Sequence, residues 1–149
     1  MSQENKPSAV VRTERTLSFN PRKVFAAFEE PERLARWWGP DGFTNTFEQF
    51  EFKPGGRWVF VMHGPNGADY PNESVFREVQ PDARIVIEHV SQPRFTLTVT
   101  LIARGDKTHL SWVQKFETPE VGARMRPICE PANEQNLDRL QSLLANEKS

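Results

Sequence analysis

One cysteine, Cys129, stands alone in 149 residues, so no intramolecular disulfide can form. The three histidines, His63, His89 and His109, lie too far apart for the short ligand spacings that hold zinc, and metal chemistry has no basis in the sequence. Neither sign of charge dominates: 19 Lys plus Arg face 20 Asp plus Glu, and the basic residues are scattered. That removes the basic patch expected of a nucleic-acid binder. No run approaches the ~20 apolar residues of a membrane span, and the mean hydropathy is -0.63. The first eight residues lack the apolar stretch of a secretory signal. We read residues 1–8 as a disordered arm, residues 9–149 as one domain, and the protein as cytoplasmic, with no cofactor motif.

What the chain does have is a concentration of rings. Ten of its sixteen aromatic residues fall between Trp37 and Phe76, in short runs divided by Gly39-Pro40, Pro54-Gly55-Gly56 and Gly64-Pro65-Asn66-Gly67. Large side chains supply most of the burial energy of a small domain and also line most ligand pockets. Such a layout either fills a core or walls a chamber.

The twelve prolines exceed the average usage of about 5% and mostly sit where one periodic run gives way to the next. Val10 to Phe19 reads as a first strand, ending at Asn20-Pro21, a helix cap followed by proline at the first helical position. Val24 and Phe28 share a face of the short helix that follows. Pro31 opens a second, whose Leu34, Trp37 and Trp38 share a face until Gly39-Pro40 ends it, with one tryptophan free to be buried while the other faces a cavity mouth or solvent. The period then changes to two. Phe43 to Phe52, Arg57 to His63, Tyr70 to Gln80, Arg84 to Val90, Arg94 to Ala103 and Lys107 to Glu117 read as six more strands, joined by short turns that favour sequential antiparallel pairing. Pro127 and Pro131 predict an irregular stretch over Glu120 to Glu130, with a helix from Pro131 to about Glu147 carrying Leu137, Leu140 and Leu144 as its stripe. The fold class is α+β, with a terminal helix whose apolar side has one place to go, the concave face of a curved sheet.

Four segments together resemble the START-related superfamily and, within it, the Aha-type family named after activators of a heat-shock-protein ATPase. They are Pro31-Glu32-Arg33-Leu34-Ala35-Arg36-Trp37-Trp38-Gly39-Pro40, Pro54-Gly55-Gly56-Arg57-Trp58, His63-Gly64-Pro65-Asn66-Gly67 and Asn136-Leu137-Asp138-Arg139-Leu140. The resemblance runs from about Val10 to Leu144. It implies the helix-grip fold shared with the birch-pollen allergen: seven strands wrapped around a long C-terminal helix, with a hydrophobic cavity between them. It also implies three functions: binding of a small hydrophobic or amphipathic ligand, an enzyme of cyclase or hydrolase type in the same cavity, or contact with a heat-shock ATPase. The family commonly places Gly-Trp where this chain has Ala132 and Asn133, so an amide replaces a bulky plug.

Strand parity and this resemblance nominate the ligand-contacting set Trp38, Trp58, Phe60, Met62, Tyr70, Phe76, Trp112, Gln114, Phe116, Asn133, Asn136 and Leu137. Gln114, Asn133 and Asn136 are amides on apolar faces; either backbone, water or side chains satisfy them, or they orient a ligand. Glu78 is read by default as an edge-facing, solvated glutamate; if strand parity holds it points inward with Phe76 instead, where a raised pKa would suit a general acid. His89 reads as a hydrogen-bonded structural histidine, since Glu88 beside it projects to the opposite face. His109, Ser111 and Lys115 share the wet face of their strand, where nothing orients a nucleophile. The glycine pairs lie between strands and make turns rather than phosphate cradles. Arg33, Arg36 and Arg57 are read as snorkelling surface cations, with convergence at a cavity mouth as the alternative.

Overall fold

A computed structural model describes residues 9–147; the arm at residues 1–8 lies outside the described residues. In chain order the elements are β1 (Val10–Leu17), α1 (Pro21–Glu29), α2 (Pro31–Trp37), β2 (Thr44–Phe50), β3 (Arg57–His63), β4 (Asp69–Gln80), β5 (Arg84–His89), β6 (Phe95–Arg104), β7 (Lys107–Phe116) and α3 (Pro119–Asn146). All seven strands form one antiparallel sheet in the order β1-β7-β6-β5-β4-β3-β2. The short turns make β2 to β7 a meander. The two helices carry the chain across, so β1 pairs with β7 at the opposite edge.

Local chemistry sets the boundaries. The Asn20 side chain accepts from Lys23 N at 2.9 Å and Pro21 stands at the first helical position, so α1 starts there. Gly39 adopts a φ of +98° directly after the Trp pair, a conformation that glycine enters without steric cost. Trp38 is not helical: it caps α2 in an extended conformation, φ -70° and ψ 131°, which turns its ring away from the direction a helix would give it. Gly56 serves a close approach, because a Cβ there would lie 2.0 Å from the Glu51 carbonyl oxygen. Its own carbonyl accepts from Phe76 N at 2.9 Å, locking the β2–β3 turn to β4.

Two bulges bend the sheet and change its parity. Between Phe47 and Gln49 the register with β3 shifts, so Phe47 and Phe50, three apart, both turn inward and stack with centroids 5.6 Å apart. The second bulge lies between Phe76 and Glu78 and turns Val79, not Glu78, toward the core. Glu78 instead meets Arg84 at 3.4 Å and the Gln80 amide, which removes it from the interior.

The terminal helix corrects the sequence expectation. It runs unbroken from Pro119, capped by Thr118, with Pro127 and Pro131 inside it. The prolines are four apart on one exposed side, so the carbonyls of Ala123 and Pro127, which lose their helical partners, lie on the solvent side. The opposite side buries Gly122, Asn133, Asn136, Leu137, Leu140 and Leu144. Arg15 on β1 grips the same helix through Asp138 at 2.7 Å and Glu134 at 2.8 Å.

Candidate functional site

The space between sheet and α3 is divided into a solid half and a hollow half. Helices α1 and α2 plug one end, where Trp58 is fully buried among Phe47, Phe50, Phe60 and Phe76, with ring centroids 4.4 to 5.9 Å away. Trp37 seals this half, donating its indole N–H to the Ala27 carbonyl at 3.0 Å. Four nominated residues belong to solid packing, a correction to the expected set. Trp58 and Phe76 sit in the ring cluster, Leu137 is wholly buried on the inner side of α3, and Phe116 packs on Phe95 at the end of β7. Their inward parity was right, but the inward face is filled where they lie.

The other half encloses a cavity of about 620 Å³. Trp38 and Trp112, with centroids 5.5 Å apart, form its inner wall, and Trp38 also meets Trp58, so these rings partition core from cavity. Phe60, Met62 and Tyr70 line one side, and Gln114, Asn133 and Asn136 line the other. The exposed residues on its border are Asp69, Tyr70 and Pro71 at the start of β4, Gln92 in the β5–β6 loop and Ile128 on α3, and they mark the mouth.

The corner that carries Trp38 is held by side chains that satisfy the carbonyls at the end of α2. A helix leaves its last four carbonyls without helical partners. Here Asn45 donates to the carbonyls of Ala35 and Trp38, Asn136 to that of Trp37, and Arg139 to that of Arg36. Arg139 also donates to Trp38, Gly39, Pro40 and Phe43 carbonyls at 2.8 to 3.3 Å, and its positive charge suits the negative end of the helix dipole. Asn136 returns the exchange by accepting from Gly39 N at 3.2 Å. Its amide is therefore committed to backbone on both sides, and it faces the cavity as a brace.

Gln114 and Asn133 pair with each other, Asn133 Nδ2 donating to Gln114 Oε1 at 2.8 Å. On the opposite wall His89 is buried, its Nδ1 2.8 Å from the Pro93 carbonyl oxygen and its Nε2 2.7 Å from Asn72 Oδ1. The structural reading of His89 stands, with the addition that it lines the cavity. Burial holds its pKa below the ordinary 6.5. The unfolded chain therefore takes up this proton first as pH falls, and stability declines from about pH 6.5 toward the lower folded value, then levels out. We expect His89→Gln to flatten that part of the melting temperature profile between pH 7 and 5; parallel profiles for variant and wild type would reject the assignment. Cys129 also faces the cavity, and burial pushes its thiol pKa up, which leaves it a poor nucleophile.

Several wall residues escaped the sequence reading. Ser74, Ile87 and His89 follow directly from parity, since each alternates with an outward neighbour. Met125, Ile128, Cys129 and Ala132 form a helical stripe leading to Asn133 and Asn136, and it was hidden by the expectation that the prolines break the helix. The arginines do not converge on the mouth. Arg33 binds Glu147, Arg57 binds Glu73, and neither they nor Arg36 line the cavity. His109 pairs with Glu14 at 2.9 Å on the outer face.

Comparison with known proteins places this architecture. No curated protein is similar enough to this chain to count as a match. Among solved structures, a protein from Arthrobacter aurescens is 22% identical over 95% of this chain and 89% of its own, with a TM-score of 0.87. One from Chromobacterium violaceum is 25% identical over 90% and 96%, TM-score 0.82. The AHSA1 protein of Silicibacter pomeroyi is 21% identical over 93% and 99%, TM-score 0.76. These likenesses fix the fold as helix-grip. The sequence pattern of the family described as Activator of Hsp90 ATPase homolog 1-like protein matches residues 18–145, and the chain belongs to that family.

Proposed function

We propose that residues 9–149 work as a single cytoplasmic domain that binds a small hydrophobic or amphipathic molecule between sheet and α3, without catalysing a reaction on it. One observation carries this reading: a cavity of about 620 Å³, walled mostly by apolar side chains and bordered by exposed residues on one side. Ligand sites are commonly about 300–1,000 Å³, apolar, with a few convergent polar groups. The alternative of an enzyme finds less support, because Glu78 faces away and both ring nitrogens of His89 are engaged. The family's description speaks of an Hsp90 ATPase activator, and chaperone contact has no separate support in the features of this chain.

The uncharged dye N-phenyl-1-naphthylamine tests the reading. Binding at one dye per chain, with a blue-shifted emission and a higher melting temperature, is the expected result, since a ligand that binds only the folded state stabilises it by mass action. Native mass spectrometry of the protein purified from its own source should show a retained adduct. Absence of both dye binding and adduct would sink the proposal.

A further inference from the structure

The charge on the cavity wall is as informative as its size. Among the residues that line it there is no lysine and no arginine. The two titratable groups of acid or histidine type are Asp69, at the exposed rim and 2.7 Å from His63, and His89, whose ring nitrogens already face Pro93 and Asn72. Arg139, which lies beside the lining residue Gly39, is occupied by five carbonyls. An anionic head group drawn into this space would lose its water and meet no counter-charge, and the interior would disfavour it strongly.

Polar capacity is nevertheless present. Ser74 is 2% exposed, lines the cavity, and its hydroxyl has no side-chain or backbone partner among the described residues. It stands directly across the strand pair from His89. On the facing wall Asn133, 7% exposed, gives its amide N–H to Gln114 and keeps its side-chain oxygen uncommitted. One wall therefore offers a hydroxyl that can donate or accept, and the other offers an acceptor.

From this pattern we infer that the ligand is an uncharged molecule, apolar over most of its length and bearing a hydroxyl, and that the matching carboxylate is excluded. The inference rests on the ligand-binding reading above and narrows it to a chemical class. Burial lowers the pKa of His89 and so works against a cation on this wall.

The test is displacement of N-phenyl-1-naphthylamine at pH 8 by decan-1-ol and by decanoate. The alcohol should displace the dye at a concentration at least tenfold lower than the carboxylate. Equal potency, a preference for decanoate, or failure of the alcohol to displace a bound dye would overturn the inference while leaving ligand binding intact. Failure of the dye to bind, together with the absence of a retained adduct, would overturn the underlying reading and this inference with it. Cys129→Lys supplies a cation at a half-buried wall position. It should shift the ratio of displacing concentrations at least tenfold in favour of decanoate over decan-1-ol, whereas an unchanged ratio would show that charge is not what the cavity selects. Removing the uncommitted groups together, Ser74→Ala with Asn133→Ala, should weaken decan-1-ol relative to decane; an unchanged ratio would count against the hydroxyl.

Discussion

Asn133→Trp should sharply weaken dye binding in a chain that still folds. Asn133 projects from α3 into the cavity, where its amide meets Gln114 across the wall. An indole there occupies space that the dye needs, and loss of that burial is expected to weaken binding by about a hundredfold, or about 2.7 kcal/mol. The substitution strands the Gln114 side-chain oxygen, at a cost of about 1–3 kcal/mol. Burial of the ring at about 25 cal/mol per Å² offsets much of that. The melting temperature should therefore stay within a few degrees of wild type. Asn133→Ala is the control: it enlarges the cavity and should leave dye binding in place. If the tryptophan variant binds dye as well as wild type does, the dye is not in this cavity.

Arg139→Met is expected to have the largest effect on stability of any single change at a half-exposed position. The guanidinium bonds to five backbone carbonyls, those of Arg36, Trp38, Gly39, Pro40 and Phe43, and so joins α3 to the corner that carries Trp38. Burial works against its charge, with Asp41 only partly compensating. Methionine keeps most of the packing and removes every donor. We expect a loss of about 3 kcal/mol, discounted for the solvent that reaches the freed carbonyls. That corresponds to a fall in melting temperature of about 6–12 °C for a domain of this size. Arg139→Lys should recover little, because an ammonium cannot span five carbonyls with a planar fork. Near wild-type melting of the methionine variant would show that the corner holds itself.

Legibility in the sequence followed the range of the interaction. Asn20-Pro21 predicts the start of α1 because capping is settled within three residues. In β6 and β7 the alternation of Leu97, Val99 and Leu101 with threonines, and of Leu110, Trp112 and Gln114 with polar neighbours, gives the correct inward set, since each strand is regular. Parity failed in β4, where a bulge after Phe76 inverts the faces and turns Glu78 out. A bulge is fixed by how two strands pair, and one strand's composition does not record it. The prolines of α3 misled for a related reason. Their local penalty is real, yet both face solvent, and the buried side of the helix is held by β1 and the sheet.

The hollow half shows the same division. Trp38, Phe60, Met62, Tyr70, Trp112, Gln114, Asn133 and Asn136 were each recognisable as inward residues and do line the cavity. Trp58, Phe76 and Leu137 have equally apolar, equally inward positions and do not line it, and Phe116 packs on Phe95 at the far end of β7. No property of the individual residues separates the two groups. What keeps Trp58, Phe76 and Leu137 off the cavity wall is that α1 and α2 fill the half of the interior where they lie.

By itself the sequence determined the seven strands, the two short helices, the apolar face of the last helix and the family resemblance, because periodicity, capping and turn chemistry act over a few residues. Only the tertiary structure decided which rings pack solid and which enclose space. That outcome depends on where two helices land on a bent sheet, and on the Asn45, Asn136 and Arg139 side chains that hold the Trp38 corner in place. A void is set by the arrangement of whole elements, so no local pattern in the chain can encode it alone.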